Sequence, residues 1–337
     1  MIPEILSLNK KIVIVGHGLA GAVIAQTLIE EGQEVVVIDA QLPHSASQVS
    51  AGLINPFIGP KFNTPADFSL CMKENQTFLN KMEKKCKRKI LESIDLYRVF
   101  QSSKQKERWE CLSELFKKDH LSKSGCLQLG IDSEYGAGKT TAWKFHSSEF
   151  IKYSRQVLQS SGNYFVESFD PTKWTGHKVV FCEGYRAIYN VWFKYLPFAP
   201  AQGEVITIES PYNLNASNGI WHLTDNKSQT ARIGSTWKHQ GVESGPTLSA
   251  KKKIFRQINF LPKLKTEAIL DHQSGVRSGT QDRNPIMGIH PKIENYYIFN
   301  GFGSRGCTTI VRCAKELANL IIHRINLPAH KDLKRFH

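Results

Sequence analysis

Near its start the chain carries an unbroken apolar run rich in β-branched residues, Ile12-Val-Ile-Val15. It enters the glycine turn Gly16-His-Gly-Leu-Ala-Gly21, continues through a stretch of helical periodicity and reaches a second apolar run, Val35-Val-Val-Ile38. The pattern predicts strand–helix–strand over residues 11–40. A loop rich in Ser, Gln, Gly and Pro follows over 42–65, long for a plain connection and so expected to be functional. Phe68, Met72, Phe78, Leu79 and Met82 recur at helical spacing and predict a helix over 66–91. Residues 94–100 read as a strand, 104–117 as a helix and 121–146 as mixed strands. Ser147 and Ser148 ahead of Glu149 signal the start of a helix over 147–158. Lys178-Val-Val-Phe-Cys-Glu-Gly184 reads as a short buried strand. Residues 205–209, 220–224 and 231–235 read as strands of an antiparallel sheet. A basic helix over 247–259, a strand over 267–276, a strand over 295–300 and a closing helix over 308–324 complete the chain.

The α/β signals therefore sit at both ends and around 147–184, with β-rich segments between. This predicts an α/β dinucleotide-binding domain built from discontinuous segments, with an α+β domain containing an antiparallel sheet inserted between them. The glycine turn has the chemistry for that role. Gly16 permits the tight turn, Gly18 lets backbone approach a pyrophosphate, and Gly21 lets helix and strand pack closely. The helix N-terminus, with Leu19 and Ala20, offers N–H groups and a favourable dipole to phosphate. Asp39 closes the second strand, where a carboxylate takes ribose hydroxyls. The alternative is a glycine-rich turn used only for packing.

At 337 residues, 41% hydrophobic and 22% charged, the chain has the make-up of a globular protein of two domains. No apolar run is long enough to span a bilayer. No basic segment leads into an apolar one at the start, so no secretory signal is expected. The seven cysteines are scattered, which favours reduced thiols and a cytoplasmic setting. No paired His/Cys spacing is present, and no metal is expected. The formal net charge of +14 changes the picture. Cations cluster at Lys81-Met-Glu-Lys-Lys-Cys-Lys-Arg-Lys89, at Lys251-Lys-Lys253 and after His323. They are either solvated helix faces or a surface for a polyanion, RNA or an anionic membrane.

Four segments taken in order carry a resemblance: VIVGHGLAGAVIAQTLIEEGQEVVVID, SQVSAGLINP, GVRSGTQDRNPIMG and FNGFGSRGCTTIVRCAKELANLI. Together they resemble the D-amino-acid oxidase family of flavoproteins. Within it the chain is similar to the glycine and sarcosine oxidases. Through AGLINP, IGSTWKHQG, GFGSRG and the ending LPAHKDLKRFH it is closer still to the oxidoreductase domain of the bifunctional enzyme of tRNA methylaminomethyl-uridine synthesis.

The resemblance implies a Rossmann-like FAD-binding domain over 1–65, 147–185 and 277–337, and a substrate domain over 66–146 and 186–276. It implies non-covalent FAD. Gly16, Gly18, Leu19, Ala20 and Gly21 would lie on the pyrophosphate and Asp39 on the ribose. Ser50, Ala51 and Gly52 would lie along the flavin, Gly184 by the adenine half, and Gly303, Ser304, Arg305 and Gly306 near the pyrimidine edge. It implies oxidation of the C–N bond of an amino acid or secondary amine, by hydride transfer to flavin N5 and hydrolysis of the imine. Arg277 would pair with a substrate carboxylate through its planar fork, or else serve a structural ion pair. Arg305 would act at the site or serve backbone carbonyls. Ser278 stands where the amino-acid oxidases usually have proline. His17 reads as a filler facing the cofactor, and Trp237 as either cavity lining or packing. The electron acceptor is oxygen or a quinone. Two other readings stay open: an oxidase acting on a carboxymethylaminomethyl-modified tRNA wobble uridine, and a non-catalytic flavin-binding protein.

Overall fold

A computed structural model of the protein describes residues 11–112, 114–225 and 228–337. The chain divides into two compact units that it visits alternately. In the first unit it forms β1 (Ile12–Val15), α1 (Leu19–Glu30), β2 (Val35–Ile38) and the start of α2 (Ala46–Val49). In the second it forms β3 (Leu53–Ile54), α3 (Phe68–Cys86), β4 (Leu91–Val99), α4 (Ser103–Glu110), β5 (Lys117–Leu121), α5 (Lys123–Gln128) and β6 (Ala137–Phe145). It returns to the first for α6 (Ser147–Ser160), β7 (Tyr164–Phe165) and β8 (Lys178–Phe181). The second unit then takes β9 (Ala201–Glu209), β10 (Asn215–Ser217), β11 (Trp221–Asp225), β12 (Thr230–Gly234), α7 (Leu248–Gln257) and β13 (Ile269–Arg277). The first closes with β14 (Ile286–Ile289), β15 (Tyr296–Asn300) and α8 (Gly306–His323).

The first unit is built on a sheet of order β14-β15-β8-β1-β2-β7, parallel except for β14 against β15. Its central strands are buried on both faces, which is why β1 and β2 read as continuous apolar runs. Val13, Val36, Val179, Phe181 and Ile298 pack on one side with Phe193 and Leu333. α1 packs against α6 and α8, and its residues Leu19 and Gly21 to Leu28 are all buried. The apolar positions of α8, Ile310, Val311, Ala314, Leu317 and Ile321, recur at helical spacing and face inward.

The second unit is built on a larger sheet of order β13-β9-β12-β11-β10-β4-β6-β3, with β5 also on β6. Ile206, Ile208, Ala216, Ala231 and Ile233 put one face of that sheet against Ile254 of α7. The opposite face carries Leu96, Leu223 and Trp221 with Ala51 and Leu53.

The structure corrects several expectations. The helix over 104–117 ends at Glu110, and Lys117–Leu121 is a strand instead. Trp109 is the only buried residue of α4, and β6 offers an edge that takes β5. Residues 123–128, within the stretch read as strands, form a short helix capped by Ser122. Residues 49–65 group with the second unit, because β3 pairs with β6 and Phe57 and Phe62 pack on Phe100 and Trp109. Residues 186–200 group with the first, where Phe193 and Leu196 join its core.

Candidate functional site

In the first unit β1 lies between β8 and β2, so the chain's connections diverge at the C-terminal end of β1, the position where doubly wound sheets bind ligands. Gly16 sits there with φ +92°, its N–H on the Ile38 carbonyl at 2.8 Å. A Cβ at Gly16 would lie 2.8 Å from the Cys182 carbonyl oxygen, and one at Gly21 only 1.9 Å from the Gly16 oxygen. Neither position admits a side chain. Gly18 is the N-cap of α1, which has no side-chain cap and no acid in its first turn. Leu19 is less open than expected: its N–H donates to Ser47 Oγ at 2.9 Å and its side chain is buried. Ser47 itself, in the polar loop, had no signal that singled it out from its neighbours.

Asp39 follows β2 with one carboxylate oxygen already held: Tyr164 Oη donates to Oδ2 at 2.7 Å. Arg155 lies 3.9 Å from the same oxygen, with its guanidinium over the Tyr164 ring. His17 does not face outward as a filler beside a cofactor. It is 3% exposed, shares a hydrogen bond with Ser154 Oγ at 3.1 Å and meets Tyr164 edge-on. Burial brings its pKa down to about 4, Asp39 opposing and Arg155 assisting. The glycine cradle, the helix N-terminus free of acids and the terminal carboxylate fit a dinucleotide pyrophosphate and ribose.

At the same C-terminal end of the sheet, three turns converge on Asn300, which is 2% exposed. Ser278 Oγ donates to Asn300 Oδ1 at 2.6 Å, the Gly301 N–H donates to the same oxygen at 2.8 Å, and Asn300 Nδ2 donates to the Gly184 carbonyl at 2.8 Å. Arg277, the last residue of β13, immediately precedes this tie, and burial lowers its pKa to about 10. The Gly303 N–H is taken by the Ser278 carbonyl at 2.8 Å. Ser304 is exposed, and α8 begins at Gly306 with Arg305 as its N-cap and no side-chain cap. Arg305 Nη2 donates to the Arg283 carbonyl at 2.7 Å. Asn300 was legible only as a strand residue, since nothing local marks a side chain that joins segments over 100 positions apart.

In the second unit the residues expected beside the flavin are shaped by β6 and β12. A Cβ at Gly52 would lie 1.9 Å from the Phe145 carbonyl oxygen, and its φ of +71° also requires glycine. Its N–H donates to Ser50 Oγ at 3.1 Å. Ala51 is part-buried on the Leu96 face of the sheet. Arg232 on β12 donates to the Ser50 carbonyl at 2.8 Å and to the Val49 carbonyl. Its burial lowers its pKa while Asp271 opposes. Arg232 was missed because it reads simply as one polar position of a strand. Trp237 is 50% exposed, with its ring centroid 6.3 Å from that of His239.

Over residues 11–320 the sequence matches the family described as DAO, FAD dependent oxidoreductase. The chain belongs to this family of FAD-dependent oxidoreductases. The chain is 37% identical over 82 residues to mitochondrial sarcosine dehydrogenase from Homo sapiens, a match covering 24% of this chain and 9% of that enzyme. The chain thus spans about a tenth of the length of that relative. Over nearly the whole length its fold is that of iminodiacetate oxidase from Chelativorans sp. BNC1, at TM-score 0.76 and 16% identity, covering 95% of this chain and 98% of that one. Glycine oxidase from Bacillus cereus ATCC 14579 is similar at TM-score 0.75 and 19% identity, covering 94% and 96%. Among the described residues no cluster of His, Cys, Asp or Glu could hold a metal, and no helix is long and apolar enough to cross a membrane.

Proposed function

We propose that the protein oxidises the C–N bond of a small carboxylated amine. The observation that carries this reading is Arg277: a guanidinium at the end of β13, followed at once by a residue tied through Asn300 to Gly184 and Gly301. A clamp needs such a fixed base, because orientation supplies much of the rate in this chemistry. The names of the similar solved structures, iminodiacetate oxidase and glycine oxidase, support the same substrate class.

When bound, FAD supplies the hydride acceptor. Gly16, Gly18, Ala20 and Gly21 at the head of α1 would hold its pyrophosphate non-covalently. Asp39, fixed by Tyr164, would hold the ribose. Gly184, Gly303, Ser304 and Gly306 would form further walls of the cofactor site in the same unit. The fork of Arg277 would take the substrate carboxylate in two parallel hydrogen bonds and so direct the amine-bearing carbon. The product imine is hydrolysed by water. The test is anaerobic addition of glycine, sarcosine, iminodiacetate or a D-amino acid while the flavin absorbance is followed. Bleaching by one of them is expected. No bleaching by any carboxylated amine refutes the reading and leaves a non-catalytic flavoprotein. Reoxidation by oxygen or by a quinone then identifies the acceptor.

The basic end of α3 favours a second reading, in which the amine is carried on tRNA. Lys84, Lys87 and Lys89 are exposed there, while the acid of the run, Glu83, is turned inward to accept the N–H groups of Ile90 and Leu91 at 2.7 and 2.8 Å. This reading requires tRNA retention that weakens steeply with salt, and absence of retention at low salt removes it.

A further inference from the structure

Beneath the loop over 57–63, the second unit buries two donors that lack the acceptors their chemistry calls for. Arg98 on β4 is 8% exposed. Its Nη1 reaches Ser217 Oγ and its Nη2 the Gly59 carbonyl, each at the long distance of 3.4 Å, and its Nε is buried without a partner. Among the described residues no carboxylate pairs with it. The Phe62 ring centroid lies 5.4 Å from its guanidinium carbon.

The second donor is Trp109, 1% exposed, whose Nε1 is likewise buried without a partner. Its indole occupies the space above Gly138, where a Cβ would come within 2.2 Å of the ring. Gly138 is the residue opposite Arg98 in the β4–β6 register, and Trp109 meets Phe62 edge-on at 5.6 Å. Arg98 and Trp109 therefore both contact the Phe62 ring, on one face of the sheet. Burying a cation with neither counter-charge nor full hydrogen bonding is strongly unfavourable, and so is burying an unmade indole N–H. Burial lowers the Arg98 pKa to about 10, which leaves it charged at neutral pH. A water would satisfy an N–H but not the charge. An oxyanion does both, and the planar fork of arginine matches a carboxylate.

We propose that Arg98 and Trp109 form a carboxylate-binding site inside the second unit, roofed by the 57–63 loop. Gly59, Pro60 and Lys61 of that loop are exposed, so a single layer of chain separates the site from solvent. The occupant is either a free small carboxylate or an acidic group of the amine substrate.

The test titrates acetate into the FAD-loaded enzyme and follows tryptophan fluorescence and Tm. A saturable change in both is expected. W109F should weaken acetate by about tenfold, the scale of one hydrogen bond to a charged group, and should lose the fluorescence response. R98M should weaken it by at least about thirtyfold. Should R98M not fold, R98K keeps the charge without the fork, and about tenfold weaker binding is expected. No saturable response in the wild type, or unchanged affinity in R98M or R98K, overturns the proposal. If the substrate's own acidic group is the occupant, acetate raises the apparent KM for the amine, and less so in W109F. If a free carboxylate is the occupant, any rise in KM that acetate causes by competing at the Arg277 clamp is the same in W109F as in the wild type. A failure of every amine to bleach the flavin would remove the oxidase reading and leave this titration unaffected.

Discussion

The hydroxyl of Ser278 donates to Asn300 Oδ1 at 2.6 Å, and the amide of the same asparagine donates to the Gly184 carbonyl at 2.8 Å. One buried side chain thus ties the residue after the proposed clamp to the turns that follow β8 and β15. Ser278→Ala removes one neutral hydrogen bond and is expected to destabilise by about 1 kcal/mol. Asn300→Ala leaves the Gly184 carbonyl and the Ser278 hydroxyl without that partner, and about 1–3 kcal/mol is expected. Urea denaturation of the flavin-loaded protein measures both. Equal, negligible losses would refute the hub.

Arg277→Ala is expected to weaken a carboxylated amine by about 2–5 kcal/mol, the range for losing one partner of a buried charge pair. The effect should appear in KM for carboxylated amines. An unchanged KM would return Arg277 to a structural role.

Arg305→Ala is expected to behave differently. Its guanidinium serves the Arg283 carbonyl, so loss of about 1 kcal/mol of stability should leave flavin reduction by substrate nearly unchanged. A drop of kcat comparable to that of Arg277→Ala would show instead that Arg305 acts on the reacting groups.

Gly21→Val places side-chain atoms where the Gly16 carbonyl oxygen stands, 1.9 Å from the ideal Cβ. The cradle must shift, with about 1–3 kcal/mol of overpacking as the scale. The purified variant should elute without its yellow colour, and full retention of flavin absorbance would contradict the assignment of the cradle.

Stability should rise with pH between about 4 and 6.5. His17 and His222 are buried, and burial brings each pKa to about 4 from an ordinary 6.5. Across that window the unfolded chain binds more protons than the folded one, so the contribution is complete above 6.5 and is lost as pH falls toward 4. Each histidine contributes at most ~3 kcal/mol. Urea midpoints between pH 4 and 7 should flatten in His222→Phe. An identical slope in that variant would exclude its part.

How far the sequence reading reached depended on how local the physics was. β1, α1 and β2 were legible because apolar runs, glycines and an acid at fixed spacing act through their own neighbours. α4 was read too long because its end is decided by β5 finding an edge on β6, a contact between segments about 20 residues apart. The side chains of His17 and Arg305 take their directions from Ser154 and from Arg283, partners that no local spacing encodes.

The alternation of strand and helix signals, the glycine cradle and Asp39 were determined by sequence alone, since turn geometry, helix dipole and strand burial follow from residue type and spacing. Only the tertiary structure decided that Tyr164 holds Asp39, that Asn300 ties Ser278 to Gly184, that Arg232 holds the 49–50 carbonyls and that Arg98 is buried without a carboxylate. A hydrogen bond across 116 or 182 positions leaves no periodicity in the chain. It exists only once the sheets have brought the partners within 3 Å.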